Sequence, residues 1–186
     1  MKNIKNIVTL LFLGISISLL GQTKIDINKS VVNWKGYKVA GFHEGTINLK
    51  AGELLFKDNQ LIGGKFVVDM TSISSTDISG RGKERLDAHL KNEDFFDVEK
   101  HPESSLIFTK VVKKKKGTYA VTADLVIKGI KQIVQFDFNV SQNSASTSFE
   151  IDRTKFDIKY RSKTIFPDLA DKAIKDNFDI NVELVF

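Results

Sequence analysis

The amino-acid sequence predicts an all-β protein, a sandwich or a barrel, with one short helix set into it. Three observations carry this prediction. Apolar and polar residues alternate with a period of two through most of the chain, the pattern of strands with one dry and one wet face. Turn-forming residues separate the alternating runs at hairpin distance. A single segment abandons that period for helical spacing.

The chain begins with a basic pair, Lys2 and Lys5, and an apolar run, Ile7–Leu20, interrupted only by Thr9, Gly14, Ser16 and Ser18. The run is too short to span a bilayer comfortably and too apolar for a surface helix. A secretory signal peptide is therefore expected over residues 1–21, cleaved near Gly21–Gln22, with a retained N-terminal anchor as the alternative. The segment holds no cysteine, which argues against a lipid-anchored lipoprotein. Removing it from the 186-residue chain leaves 165 residues, the size of one domain with one core, over residues 22–186.

The strands follow in order. Val32 and Trp34 alternate with Asn33 and Lys35, and Ile47 and Leu49 with Thr46, Asn48 and Lys50. Phe66, Val68 and Met70 share one face, Leu125 and Ile127 another, and Val134, Phe136, Phe138 and Val140 a third. Phe149 and Ile151 alternate with Glu150 and Asp152, and the last run aligns Phe178, Ile180, Val182, Leu184 and Phe186. Turns are signalled at Lys57-Asp58-Asn59, Lys116-Gly117, Gly129 and Asn143-Ser144. About eight such strands in this length give a sandwich or a barrel. The last run is too apolar to stay unpaired, and pairing it with an early strand would close a barrel. The exception is Gly80–Asn92, where Leu86 and Leu90 lie four apart among Lys83, Glu84, Arg85 and Lys91, an amphipathic helix with a narrow apolar stripe. Phe95 and Phe96 follow it, placed to cap an open end.

Composition narrows the function classes. The formal charge of +5 falls to +3 once Lys2 and Lys5 leave with the signal peptide, a mildly basic surface unlike that of a nucleic-acid binder. With no cysteine, neither disulfides nor thiolate metal sites are available. His43, His89 and His101 show no metal-ligand spacing, and no nucleophile elbow or phosphate loop is present. No cofactor is expected. His43 shares parity with Ile47 and Leu49 and so points inward at a mouth, most simply as a hydrogen-bonded structural histidine. Arg153 continues the parity of Phe149 and Ile151. An inward arginine needs partners. It serves either as an internal clamp on the barrel or as a contact for a ligand's polar head. Lys113–Lys116 reads as a solvated hairpin tip, with attraction to an anionic membrane as the alternative.

Six segments together resemble the YceI family. They are VNWKGYKVAGFHEGTINLKAGEL near the start, FVVDMTSI, HLKNEDFFDVEKHP at His89–Pro102, VTADLVIKG at Val121–Gly129, DRTKF at Asp152–Phe156, and DKAIKDNFDINVEL at the end. The family usually continues the Asp-Arg-Thr-x-aromatic motif with glycine, where this chain has Asp157. The resemblance implies an extended eight-stranded antiparallel lipocalin-like barrel with one helix at its side. It also implies an elongated apolar cavity for a polyisoprenoid such as a prenyl quinone or polyprenyl phosphate, in a periplasmic or secreted protein.

The expectation is a non-enzymatic lipid-binding barrel. Its cavity residues would be Trp34, Ile47, Leu49, Phe66, Val68, Met70, Leu106, Phe108, Leu125, Ile127, Phe136, Phe138, Phe149, Ile151, Phe178 and Ile180, with Arg153 and His43 at a head group. Partners would be an isoprenoid quinone, a polyprenyl phosphate or another long-chain lipid, with transient membrane contact and a monomer or homodimer. One alternative is an envelope enzyme acting on a lipid head group through Arg153, His43 and His89. Another is a stress or adhesion protein whose barrel is filled by side chains.

Overall fold

The computed structural model describes residues 20–186. Its strands are β1 (Leu20–Lys24), β2 (Val31–Lys38), β3 (Gly41–Lys57), β4 (Gln60–Ser75), β5 (Glu103–Lys115), β6 (Thr118–Ile127), β7 (Ile130–Val140), β8 (Ser144–Asp152) and β9 (Ile174–Val185). One helix, α1 (Gly80–Lys91), joins β4 to β5, and two 3₁₀ turns, Arg153–Phe156 and Pro167–Lys172, lie between β8 and β9. The expected signal peptide falls outside the described residues except for Leu20 and Gly21, which open β1.

All strand pairs are antiparallel, in the order β1-β3-β2-β9-β8-β7-β6-β5-β4, and β4 returns to pair with β3. Strands β2 to β9 thus form a closed eight-stranded barrel, the lipocalin-like architecture the sequence led us to expect. The terminal strand closes it as predicted, with Trp34 opposite Ile180 and Val32 opposite Val182. The ninth strand is an addition. β1 lies on the distal half of the long β3, Leu20 opposite Lys57 and Lys24 opposite Glu53. Its LGQTK sequence has no alternation, so nothing in it signals a strand.

Two ends can be distinguished. At one, tight hairpins join β3–β4, β5–β6 and β7–β8. Asp58 and Asn59 both take positive φ (50° and 61°), the geometry that lets a two-residue turn match the strand twist. This hairpin end is plugged. Leu54, Leu61, Val121 and Phe138 are almost wholly buried, and Tyr119 Oη accepts from the Leu61 N–H at 3.3 Å. At the other end lie α1, the β6–β7 turn and the long β8–β9 connection.

α1 stops at Asn92, whose backbone is extended and whose N–H donates to His89 O. The chain then folds back, Phe96 N–H reaching Leu90 O at 3.2 Å, so that Phe95 and Phe96 are buried in the core beneath the helix. The helix is fixed by polar contacts as well as by its stripe. Asp87 accepts from Ser75 N–H and Oγ–H at 2.7 Å each and from Ser74 Oγ at 2.9 Å, and pairs with Lys83 at 3.0 Å.

Candidate functional site: an apolar barrel cavity

Inside the barrel, between the plug and α1, is a cavity of about 230 Å³ with an almost wholly apolar wall. A barrel filled by its own side chains is therefore not what this chain builds. All sixteen apolar residues expected to form the cavity, from Trp34 to Ile180, line it, and so do Arg153 and His43, whereas Val134 and Val140, on the same parity as Phe136 and Phe138, do not. Aromatic rings give the wall its shape: Phe108 packs edge-on to Phe136 and Phe138, and Phe136 stacks on Phe149 at 4.6 Å.

Sequence reasoning missed several wall residues. Leu86, Leu90 and Ile73 come from α1 and the end of β4, and Gly36, Tyr37, Lys38, Ile174 and Lys175 from the facing ends of β2 and β9. There the register slips, Gly36 pairing with Phe178 but Lys38 with Ile174. The slip breaks parity, so a period-two reading cannot place both Gly36 and Tyr37 on the wall. Among the lining residues only Lys38 and Lys175 are exposed, which puts the mouth at the helix end beside this irregularity.

Arg153 stands next to the mouth and is 2% exposed. It begins a 3₁₀ turn that Asp152 caps by accepting from Thr154 N–H. Its Nε donates to Lys175 O at 3.1 Å, Nη1 to Ile158 O at 2.8 Å and Nη2 to Ile174 O at 3.1 Å, with Asp176 Oδ1 3.5 Å away. A guanidinium has five N–H donors, so one Nη1 N–H remains. Burial lowers the arginine's pKa, opposed by Asp176 and Asp152. The geometry is that of a clamp joining the end of β8 to the irregular start of β9.

His43, on β3, is paired through Nδ1 to Asp77 Oδ2 at 2.8 Å, with Lys38 Nζ 3.2 Å from Nε2. Burial raises the Asp77 pKa, but hydrogen bonds from His43 and the Glu44 N–H bring it below its usual value. His89, on α1, packs against Tyr160 at 4.3 Å and Phe95 at 5.4 Å, with Nδ1 3.6 Å from Asp94 Oδ1. Among the described residues, Trp34 Nε1 and His89 Nε2 are buried side-chain atoms without a protein hydrogen-bond partner. Three wall hydroxyls are occupied: Ser104 donates to Val126 O, Thr147 to Asp137 O and Tyr37 to Asp179.

A closed antiparallel barrel with a helix over one end and an apolar cavity is the architecture of lipocalin-like proteins. The YceI-like domain profile matches residues 24–186, and the chain belongs to that family. UPF0312 proteins of Vibrio campbellii and Vibrio parahaemolyticus are each 33% identical over 98 residues, 52% of this chain. The match spans about half (49%) of the length of those relatives. The fold is shared with Burkholderia cenocepacia BcnA (TM-score 0.71, 20% identity, 87% of this chain and 99% of that one). It is also shared with a polyisoprenoid binding domain from Saccharophagus degradans (TM-score 0.59, 12% identity, 89% and 97%) and the YceI protein of Campylobacter jejuni (0.53, 16%, 98% and 96%).

Proposed function

We propose that this protein is a secreted envelope carrier, a signal peptide (residues 1–21) followed by a barrel domain (22–186), that holds a long-chain isoprenoid or similar amphiphilic lipid. The observation that carries the reading is the cavity: blind at the hairpin end, open beside Lys38 and Lys175, and apolar between. The family and the polyisoprenoid-binding description of the Saccharophagus neighbour support it. Burying a tail of forty carbons from water at about 0.8 kcal/mol each would exceed any known affinity. The tail must therefore come from a membrane, where it is already dry, and its transfer is near neutral. That is the energetics of a reversible carrier. At 230 Å³ the empty cavity is smaller than the usual ~300–1,000 Å³ of ligand sites, so Met70 and the phenyl rings turn aside as a tail enters.

One observation favours an enzymatic alternative: Arg153, His43 and His89 meet one cavity, and His43 has a carboxylate partner. Against it, Ser104 and Thr147 give their protons to backbone carbonyls, and the Arg153 guanidinium is largely engaged. The test is solvent extraction of protein purified from its own host and of protein incubated with lipid-loaded vesicles, followed by mass spectrometry. One lipid per chain is expected. No stoichiometric lipid from either source overturns the proposal.

A further inference from the structure

We infer that the cavity widens through its wall, by parting of β7 from β8 at the mouth end, and that this seam is the passage for the tail. The inference rests on the lipid-carrier reading and deepens it by naming how the site is reached. The seam is a break in the sheet. β6 and β7 pair without interruption from Thr118 opposite Asn139 to Ile127 opposite Ile130, and β8 and β9 from Ser144 opposite Val185 to Asp152 opposite Asn177. Between β7 and β8 only Val140 with Ala145, Asn139 with Ser146 and Phe138 with Thr147 pair. Among the described residues no ladder pair joins 130–137 of β7 to 148–152 of β8.

Backbone direction shows what the break leaves. Val140 N–H donates to Gly117 O at 2.7 Å, so the even-numbered residues of β7 turn their peptide groups to β6. The odd-numbered ones turn to β8, as Asp137 O does in accepting from Thr147 Oγ at 2.8 Å. Ile133 and Gln135 therefore aim N–H and C=O at a strand that pairs with neither. Side chains hold the two strands together here. Phe136 stacks on Phe149 at 4.6 Å, and Gln132 Nε2 donates to Lys155 O, just past the end of β8, at 3.1 Å.

The break lies where a passage is of use. The paired part of β7 and β8 is at the plugged hairpin end, and the free part is at the helix end, where Phe136, Phe149 and Ile151 line the cavity. Arg153 ties the end of β8 to the start of β9, so β8 stays with β9 while β7 moves with β6. Parting the seam breaks a ring stack and one side-chain bond. Parting a continuous ladder breaks main-chain bonds at every second pair. A second break, between β4 and β5 beyond Lys65 opposite Ile107, lies at the plugged end and is filled. There Phe108 packs so closely on Gly64 that an added Cβ would come within 3.0 Å of its ring.

The chain has no cysteine, so introduced thiols are its only ones. Gln135 and Glu150 are exposed, and Gln135→Cys with Glu150→Cys places a thiol on each side of the seam. Thr122→Cys with Gln135→Cys places a pair across the unbroken β6–β7 ladder. Each pair is bridged by a short bis-methanethiosulfonate linker, verified by mass spectrometry and removable by reductant. Uptake of a pyrene-labelled prenyl lipid from phosphatidylglycerol vesicles is then timed. The seam bridge should slow uptake about tenfold or more, with recovery on reduction, and the ladder bridge should leave it unchanged. Hydrogen exchange on the native protein should find the Ile133 and Gln135 amides far less protected than those of Val134 and Phe136. Equal uptake by the seam-bridged and unbridged proteins, equal slowing by both bridges, or equal protection of the four amides overturns the passage while the carrier reading stands. If the unbridged protein takes up no lipid, both fall.

Discussion

Arg153 shows how one side chain can line an apolar cavity and still belong to the fold. Its parity with Ile151 and Phe149 made it inward on sequence, and it is inward. The carbonyls that engage it were not legible, because Ile158, Ile174 and Lys175 come from irregular backbone that no periodicity predicts. Arg153→Ala removes the charge and strands three acceptors, so we predict a loss of stability of about 2–4 kcal/mol by denaturant unfolding. In the variant that remains folded, affinities for an anionic and a neutral lipid should fall by the same factor. A loss confined to the anionic lipid would show instead that its free N–H holds a head group. Asp157 is a second residue-level case. The family pattern has glycine there, and Asp157 does take the left-handed conformation (φ 61°, ψ 25°) that glycine favours. The loop geometry is kept by a residue type that tolerates it.

At the scale of elements, the strands were legible because each carries its own period, and α1 because Leu86 and Leu90 break it. The bond that docks α1 was not, since Asp87 sits among charged residues that look solvated. Burial works to raise its pKa, but the Ser75 N–H and hydroxyl, Lys83 and Ser74 together hold it down at about 2, below the usual 3.8. A carboxyl with a depressed folded-state pKa adds stability that is complete above its unfolded value. That stability is lost as pH falls through the folded value. Unfolding free energy should therefore drop between about pH 4 and pH 2. Asp87→Asn should lower stability by about 1–3 kcal/mol at neutral pH and flatten that part of the profile. Hydrogen exchange should find the loss first in α1 and the Phe95–Phe96 turn it covers. An unchanged acid profile would mean that other carboxylates set it.

On the scale of the whole molecule, the barrel is polar in the sense that its two ends differ. The lysine run Lys113–Lys116, the feature the sequence offered as a membrane contact, lies at the plugged hairpin end, with Lys114 held by Asp137 at 2.8 Å. The mouth has a different rim. Val39 and Phe42 stand exposed on the β2–β3 hairpin, and Ile165 and Phe166 on the β8–β9 connection. These two tips meet where Lys38 pairs with Ile174, whose N–H reaches Arg161 O. Lys38 and Lys175 line the mouth, and Lys163, Lys172, Asp168 and Asp171 are exposed along the β8–β9 connection. Exposed apolar side chains interleaved with lysine suit an anionic lipid surface, and each lysine close to such a surface adds to the attraction. On the carrier reading proposed above, docking the mouth would let a tail slide from bilayer to barrel without crossing water. We predict that Val39→Ser with Lys163→Gln and Lys172→Gln slows transfer of a fluorescent prenyl lipid from anionic vesicles by about an order of magnitude, and removes most of its salt dependence. Replacing Lys113, Lys115 and Lys116 with glutamine should leave both nearly unchanged, because that end faces away. A rate that follows the hairpin-end lysines instead would mean that the barrel docks by its plugged end and that the lipid enters through the wall.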